Sequence, residues 1–436
     1  VRLLTPTLAI ETVAAGGGSI LSFDGLRARV GPRSAGALPG PAAYGRGGPA
    51  TVTDANLLLG RLDPDRFPRV FGAGGDQPLD VAAARRALEA LARQMGTPTA
   101  EAAAEGFLAI AVEQMAQGVR RISTERGFDP REHDLVAFGG AGGQVACQMA
   151  EALGVRRVLC PLYGSLLSAY GGGAAEVSAL RQGGLEHALD CEGLKLAQGL
   201  ASTLEAQARA ALADQGMTPG RCEITLRLRY EGADAELPAP LMSEDEVRAT
   251  FEEAHQRLFG FVERARPILI ASVEAEAVET TAETRLGNMA PPKGPDPASS
   301  APEQVVIYLD GRAWPAPVVE AEGLEALSGP ALIVREDTQI TVPAGWRARP
   351  GQDGMVILER GLAPDAPAPA RNVAAAVEAP DPVTLELFNR RFMGVAEAMG
   401  AALEPTAHSE NIKERLGFSR APFAADRGLV AKTPPM

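Results

Sequence analysis

The sequence predicts an α/β protein followed by an α+β segment, a small β-rich unit and an incomplete C-terminal domain. Three observations carry that reading. Residues 135–154 run from a short apolar stretch, Leu135-Val136-Ala137-Phe138, through Gly139-Gly140-Ala141-Gly142-Gly143 into a segment with apolar positions at Val145, Met149, Ala152 and Leu153, the pattern of strand, loop and helix. A second small-residue stretch, residues 163–173, follows the next apolar run at residues 156–160. From Gly183 onward long helical stretches alternate with period-two stretches, the texture of an α+β arrangement.

Glycine lets the backbone turn with positive φ and lets a ligand come close, and the exposed N–H groups at a helix start favour negative charge. Gly139, Gly140, Gly142, Gly143 and Gln144 are therefore candidate nucleotide-binding residues. The loop is not a P-loop, because Gln144-Val145 stand where Lys and Ser or Thr would hold phosphate and magnesium. A dinucleotide fingerprint would need Gly or Ala at Val145 and an acidic residue at the end of the next strand, residues 155–160, and has neither. A tight turn with no ligand is the alternative; a second glycine-rich stretch at the neighbouring strand end favours a crevice of the kind where open α/β sheets bind ligands.

In chain order, residues 9–14 read as a strand leading to a loop, Gly16-Gly17-Gly18-Ser19, and then to Ile20-Leu21-Ser22-Phe23 with a hairpin signal at Asp24-Gly25. Residues 30–49 hold too many Gly and Pro for helix or central strand, and a long irregular segment in a compact domain is usually functional. A short helix is expected at residues 55–60, with Asp54 either its N-cap or a ligand-facing group. Residues 79–94 form one helix. A second begins after Thr97-Pro98 and runs to Glu125, with Leu108, Ala111, Met115, Val119 and Ile122 on a core-facing stripe and Arg120, Arg121 and Arg126 complementing its dipole. Residues 156–160 are expected as a parallel neighbour of the strand at residue 135.

Beyond Gly183 the pattern gives a helix at 194–213, a strand at 223–230 with a turn to Asp234, a helix at 244–259 and a strand at 268–278. His255, alone on its helix, reads as a hydrogen-bonded packing residue. Residues 289–303 are a Pro-, Ala- and Ser-rich linker. Short strands at 305–309, 318–319, 331–334, 339–342 and 355–358 suit a compact barrel or sandwich. A second linker spans 361–382, and a helix at 383–403 opens a further unit. The expected divisions are 1–182, a glycine-rich nucleotide-binding part; 183–288, the α+β segment; 304–360, the small β-rich domain; and 381–436, the start of another domain.

Composition excludes several classes. With 46% hydrophobic and 22% charged residues the chain resembles soluble globular proteins, and no apolar run approaches the roughly 20 residues of a membrane span. A net charge of −13, with no Lys/Arg stripe interleaved with aromatics, argues against nucleic acid. Cys147, Cys160, Cys191 and Cys222 are widely spaced, without a CxxC or a nearby His cluster, so no metal site and no disulfide scaffold is expected; they fit reduced cytoplasmic thiols. Val1-Arg2-Leu3-Leu4 reads as an internal start.

Four stretches, Thr12-Val13-Ala14-Ala15-Gly16-Gly17-Gly18-Ser19-Ile20, Gly36-Ala37-Leu38-Pro39-Gly40-Pro41-Ala42-Ala43-Tyr44, Thr51-Val52-Thr53-Asp54-Ala55-Asn56 and Phe138-Gly139-Gly140-Ala141-Gly142-Gly143-Gln144, together resemble the hydantoinase A/oxoprolinase family, in order across residues 7–360. The end, from Asp381-Pro382-Val383 through Asn411-Ile412-Lys413-Glu414-Arg415-Leu416 to Gly428-Leu429-Val430, is similar to the opening of the hydantoinase B family, and both on one chain is the arrangement of the oxoprolinase branch. The resemblance implies an actin/acetate-kinase-like ATPase fold in residues 1–182, with ATP and Mg2+ as cofactors. It matches residues 139–143 to the loop beside the adenosine; Gly16, Gly17, Gly18, Ser19 and Asp54, with Gly139, Gly140, Gly142, Gly143 and Gln144, are the expected nucleotide-site residues, and residues 16–19, 139–143 and 171–173 are expected to line one pocket, because small-residue loops at strand ends suit a phosphate and ribose surface. It also implies a small cyclic amide substrate, 5-oxoproline or a hydantoin, opened at the expense of ATP through a phosphorylated lactam, and a homo-oligomer of the full-length protein.

The same resemblance implies Cys at Ala43, His at Val145, an acidic or polar residue at Leu38, Asp at Gly417 and Ala424, and a histidine motif after Val430, and this sequence departs at each. It also implies phosphate loops in a preceding segment, so the chain alone is expected not to catalyse ring opening. The catalytic residues are unassigned. The alternative is a non-catalytic nucleotide-binding or scaffold fragment.

Overall fold

The computed structural model of the chain describes residues 10–233, 235–280, 303–361, 381–406 and Pro422. Residues 10–14, expected as a strand, are irregular, and the first element is a hairpin of β1 (Ser19–Phe23) and β2 (Ala28–Ser34). Its turn forms because the Asp24 carboxylate accepts the Leu26 and Arg27 N–H groups at 3.0 and 2.7 Å, while Gly25 takes φ 92°. The same backbone N–H of Arg27, with the Arg29 guanidinium, holds the Asp24 carboxyl well below the usual carboxylate range.

The Gly- and Pro-rich stretch that follows is ordered by polar contacts. Arg46 donates from Nε to the Gly72 carbonyl and from Nη2 to the Val70 carbonyl, both at 2.9 Å. Helix α1 (Val52–Leu58) starts three residues earlier than the sequence pattern indicates, because Thr51 is its N-cap and Asp54 its third residue. Helices α2 (Val81–Met95) and α3 (Ala100–Glu125) start at Asp80 and Thr99, whose side chains accept from Ala83 and Ala102 N–H.

Next come β3 (Leu135–Val136), α4 (Gly142–Leu153) and β4 (Arg157–Cys160); β3 and β4 pair in parallel, as expected for a strand–helix–strand unit. The second glycine stretch is not a loop throughout: residues 167–174 form α5 (Leu167–Ala174). The α+β segment then has β5 (Ser178–Ala188), α6 (Cys191–Asp214), β6 (Pro219–Tyr230), β7 (Leu237–Pro240), α7 (Glu244–Phe259) and β8 (Ile268–Glu279). Its sheet order is β5-β8-β6-β7, and its core joins Leu226, Leu228, Val247, Phe251, Ile270 and Val273.

The expected small β-rich domain does not close on itself. Strands β9 (Gln304–Leu309), β10 (Arg312–Glu320), β11 (Leu327–Ser328), β12 (Ala331–Val334), β13 (Gln339–Val342), β14 (Trp346–Pro350) and β15 (Val356–Arg360) are shared between two sheets. One has the order β13-β12-β10-β9; the other, β11-β14-β15-β4-β3, contains the parallel pair of the first region. Val356 pairs with Cys160 and Leu358 with Val158. Trp346, Leu358 and Ile340 therefore lie in one core with Cys147 and Met149 of α4. β14 and β15 extend the β3–β4 sheet from its β4 edge, and β13 of the other sheet packs against α4.

Helix α8 (Pro382–Thr406) packs along α3. A Cβ on Gly106 of α3 would come within 2.6 Å of Val383 Cγ2, so the absent side chain at Gly106 is the seat for Val383. Gln117 Nε2 donates to the Arg390 carbonyl at 2.5 Å.

Candidate functional site

The glycine loop between β3 and α4 divides into two parts. A Cβ added at Gly143 would stand 2.7 Å from the Gln339 carbonyl oxygen and 2.8 Å from Ile340 Cγ1, so glycine there serves the packing of α4 on β13. At Gly139 and Gly140 a Cβ would meet nothing within 4 Å. Gly139 also takes φ 87°, which a side chain would resist. Gly142 is intermediate, its nearest neighbour the Ala137 carbonyl carbon at 3.7 Å. The face open to a ligand is thus residues 139–140, narrower than the sequence implies.

The orientation of that face is fixed from behind. Thr338 Oγ1 donates to the Gly140 carbonyl at 3.2 Å, and Gln144 Nε2 at 3.5 Å. A trans peptide places its N–H opposite its C=O, so the Ala141 N–H points away from Thr338 and Gln144. Neither it nor the Gly140 N–H has an acceptor among the described residues. Two adjacent donors with open space beside them can receive an anionic or carbonyl oxygen. Phe138, Leu166 and Tyr170 are exposed, and Tyr163 and Tyr170 stack at 5.8 Å. The Gly139 N–H donates to the Gly164 carbonyl at 2.8 Å, which joins the two glycine-rich stretches at the sheet edge, although Gly171, Gly172 and Gly173 lie in α5.

Gln144 itself is buried, and its Oε1 accepts from Asn56 Nδ2 at 2.8 Å. It ties the loop to α1. One turn earlier on α1, Thr53 donates from both N and Oγ1 to the Gly17 carbonyl, at 2.9 and 3.0 Å. Residues 16–19 and 139–144 therefore flank the same helix start. A Cβ at Gly17 would meet Thr53 Oγ1 and one at Gly18 would meet Ser34 Oγ, each at 2.9 Å; only Gly16 borders open space. The Ser19 hydroxyl is engaged within the turn, accepting the Gly16 N–H at 2.9 Å.

Asp54 is fully buried, and its two oxygens accept from Thr51 N–H and Oγ1 and from the Ala42 and Ala43 N–H groups, at 2.7, 2.8, 3.1 and 2.7 Å. Burial pushes its pKa up against those hydrogen bonds. It is a brace between α1 and the Pro-rich segment, and its carboxylate has no free direction for a ligand. Of the positions where the resemblance implies other residues, Leu38 is exposed, Ala43 is fully buried and Val145 lies in the α4 core; Gly417 and Ala424 fall outside the described residues, as do Asn411, Lys413, Glu414 and Arg415.

The structure adds residues that the sequence reading missed. Thr338 reaches the loop from the β12–β13 turn, Gln339 at the start of β13 accepts from Asp63 N–H, beyond the end of α1, at 2.7 Å, and Asp337 accepts from Ser165 N and Oγ at 3.0 and 2.8 Å. Arg61, fully buried, donates to Gln148 Oε1 at 2.6 Å, and desolvation lowers its pKa to about 10. The one local signal was the run of polar side chains in 51–56 on a helix that the core buries. Among the described residues no group of three or more His, Cys, Asp or Glu side chains could hold a metal ion, and no helix is long and apolar enough to cross a membrane.

An α/β scaffold carrying a glycine-rich strand-to-helix loop and sharing its sheet with a later β-rich segment defines the class, and comparison with known proteins gives it a family. The profile of the Hydantoinase/oxoprolinase family matches residues 1–181, and that of Hydantoinase B/oxoprolinase matches residues 381–436. The chain belongs to the hydantoinase/oxoprolinase family. Within it, the chain is similar to 5-oxoprolinase 1 of Arabidopsis thaliana, 37% identical over 98% of this chain and 35% of that protein, and to the 5-oxoprolinase of Saccharomyces cerevisiae, 35% identical over 99% and 35%. It thus spans about a third of the length of these relatives. The crystal structure of an ATP-dependent caprolactamase from Pseudomonas jessenii superposes with a TM-score of 0.65 at 31% identity, covering 79% of this chain and 52% of that one. A nucleotide-free acetone carboxylase, at 20% identity and a TM-score of 0.58 over 79% of this chain and 52% of its own, shares the fold alone. The fold is an α/β fold related to the actin/hsp70/sugar-kinase-like superfamily that these homologues share.

Proposed function

We propose that the chain is the nucleotide-facing part of an ATP-dependent cyclic amide hydrolase that opens 5-oxo-L-proline to L-glutamate, in a full-length homo-oligomeric protein. The observation that carries this reading is similarity to 5-oxoprolinases along nearly the whole chain, with both family segments in their order. The open backbone at Gly139 and Gly140 supports a nucleotide there, since a Cβ would fill the space that a ligand needs.

An unactivated lactam is a poor electrophile, and ATP, when bound, supplies the phosphoryl group that activates the amide carbonyl carbon toward water, so that the ring C–N bond can break. This chain's own part is binding and orientation. The Gly140 and Ala141 N–H groups offer two donors, and Thr338 and Gln144 hold the Gly140 carbonyl and with it the peptide plane that carries the Ala141 N–H. Among the described residues no group of three or more His, Cys, Asp or Glu side chains could hold magnesium.

A second reading, a lactam or hydantoin ring other than 5-oxoproline, is favoured by the caprolactamase subunit alpha of Pseudomonas jessenii, 32% identical over 79% of this chain. The experiment incubates residues 1–436, alone and within a polypeptide of the relatives' span, with MgATP and 5-oxo-L-proline, hydantoin or ε-caprolactam, and measures phosphate and ring-opened product together. The expected result is matched release of both from 5-oxo-L-proline by the longer polypeptide and none by residues 1–436 alone. Matched release from another ring only would replace the substrate. Ring opening without phosphate would remove the ATP requirement, and nucleotide binding with no ring opened would favour a scaffold.

A further inference from the structure

We infer that Thr338 and Asp337, in the turn between β12 and β13, are positioning residues for the nucleotide site, and that Asp337 acts on it through Ser165 rather than by a bond to the glycine loop. The inference rests on the nucleotide reading of residues 139–140 given above.

Three turns are tied to one another here: the end of β3 at Gly139-Gly140, the stretch after β4 at Gly164-Ser165, and the β12–β13 turn at Asp337-Thr338. Each is bonded to the other two through adjacent residues. The Gly139 N–H donates to the Gly164 carbonyl at 2.8 Å. Ser165 donates from N and Oγ to Asp337 Oδ2 at 3.0 and 2.8 Å, and Thr338 Oγ1 donates to the Gly140 carbonyl at 3.2 Å. These contacts close a ring, so removing one side leaves the turns it joined with a single tie within the ring.

Glycine is the reason such a ring matters. The direction of the Gly140 carbonyl, and with it that of the Ala141 N–H, depends on the ψ angle of Gly140, which no side chain restricts. Local sequence leaves that peptide free to turn over, and outside contacts decide which side offers its N–H to a ligand. Gln144 Nε2 stands 3.5 Å from the carbonyl, at the limit of a hydrogen bond, and Gln144 Oε1 is drawn to Asn56. Thr338 is the closer donor, and its branched side chain is stiff at χ1.

The β12–β13 turn is suited to be the fixed side of the ring. The Arg335 N–H donates to the Thr338 carbonyl at 2.9 Å and closes the turn. The buried Arg335 guanidinium donates to the Pro161 carbonyl at 2.7 Å and to the Gly354 carbonyl. Arg335 and Asp337 therefore hold the stretch after β4 at residues 161 and 165, and Gly164, beside Ser165, presents its carbonyl to Gly139. A change at Asp337 reaches residues 139–140 by two routes, through Ser165 and Gly164 and through its neighbour Thr338.

The test compares Thr338→Val and Asp337→Ala with Thr338→Ser, which keeps the hydroxyl donor, and Asp337→Asn, which keeps an acceptor for Ser165. In a polypeptide of the relatives' span, equilibrium binding of MgATP is expected to weaken about tenfold in Thr338→Val and about threefold in Asp337→Ala. The two rescue variants should bind like the parent, and all four should keep the thermal midpoint within about 4 °C. In residues 1–436 without nucleotide, Asp337→Ala should speed amide hydrogen exchange at Gly139 by about threefold or more, although no hydrogen bond joins the two residues. A parent that binds no MgATP would remove the nucleotide reading and this inference with it. A parent that binds MgATP while Thr338→Val and Asp337→Ala bind it equally well would overturn this inference alone. So would failure of the rescue variants to restore affinity, a loss of affinity only where the thermal midpoint falls as well, or unchanged exchange at Gly139.

Discussion

The first α/β region and the α+β segment are built on opposite principles. In the α+β segment the core cluster is hydrocarbon, with Leu226, Leu228, Val247, Phe251, Ile270 and Val273 all fully buried, and the buried polar side chains are His255, Ser272 and Glu279 among the described residues. Its charges sit on the outer face of the sheet in matched pairs, Arg227 with Glu274 at 2.9 Å and Arg229 with Glu186 at 2.6 Å. Its one buried histidine, His255, is enclosed by Tyr230, Phe251, Phe259 and Phe261, and its Nδ1 lies 2.8 Å from the Phe261 carbonyl oxygen, the packing role expected of it. The first region instead buries Asp54, Asn56, Arg61 and Gln144, and Gln339 of β13 joins them through Asp63 N–H. Hydrophobic packing tolerates small shifts, whereas each buried polar pair fixes a direction. These buried polar groups lie behind the glycine loop, where direction matters, and the hydrocarbon core lies where only cohesion is needed.

The sharpest break of this comparison is inside the glycine loop itself. Gly143→Val forces a side chain into the Gln339 carbonyl and should destabilise the first region by about 3 kcal/mol or more, read as a large fall in the thermal midpoint. An unchanged midpoint would mean that α4 and β13 are not packed as described.

Asp54→Ala removes the acceptor for four donors, three of them backbone N–H groups, and should cost about 3 kcal/mol, with faster amide hydrogen exchange at Ala42, Ala43 and Thr51. Exchange at those amides unchanged from the parent would contradict the brace assigned to this carboxylate. In the α+β segment, His255→Leu is the matching change. It loses one hydrogen bond but keeps the apolar contacts, so about 1 kcal/mol is expected, with no effect on exchange in residues 139–144.

Gly140→Val is the contrasting case to Gly143→Val. Its φ is not in the left-handed region and its Cβ meets open space, so the stability change should stay within about 0.5 kcal/mol. Under the proposed function the same variant should weaken ATP binding by about tenfold or more in a polypeptide of the relatives' span, measured by equilibrium binding. Unaltered affinity would show residues 139–140 to be only a turn.

The smallest effect concerns the thiols. Cys191 is exposed and should react first with an aromatic disulfide reagent at neutral pH, Cys222 more slowly, and Cys147 and Cys160 only on unfolding. Burial raises the Cys160 pKa from 9.0 to about 12. In the folded chain this thiol keeps its proton where the unfolded chain has lost it. Its contribution to stability is therefore complete below pH 9.0 and is lost as pH rises toward about 12. A Cys160→Ala variant should show a shallower fall of the thermal midpoint over that window.

Local chemistry in the sequence settled much of this protein. The turn at Asp24-Gly25, the helix starts at Asp80 and Thr99, and the strand–loop–helix at residues 135–153 follow from residues a few positions apart, because capping, Asx turns and periodicity act within one or two helical turns. The family resemblance was legible for the same reason, in short runs of glycine and polar residues. Only the tertiary structure decided what those runs do. Gly143 packs while Gly139 and Gly140 stay open, because Gln339 and Ile340, almost two hundred positions away, occupy one side of the loop and not the other. Asp54 accepts from the Ala42 and Ala43 N–H groups of an irregular segment with no periodicity to read. The β-rich strands joined the sheet of β3 and β4, since hydrogen-bonding partners for a strand edge are chosen by position in space, and alternation along one strand does not specify which edge it will meet.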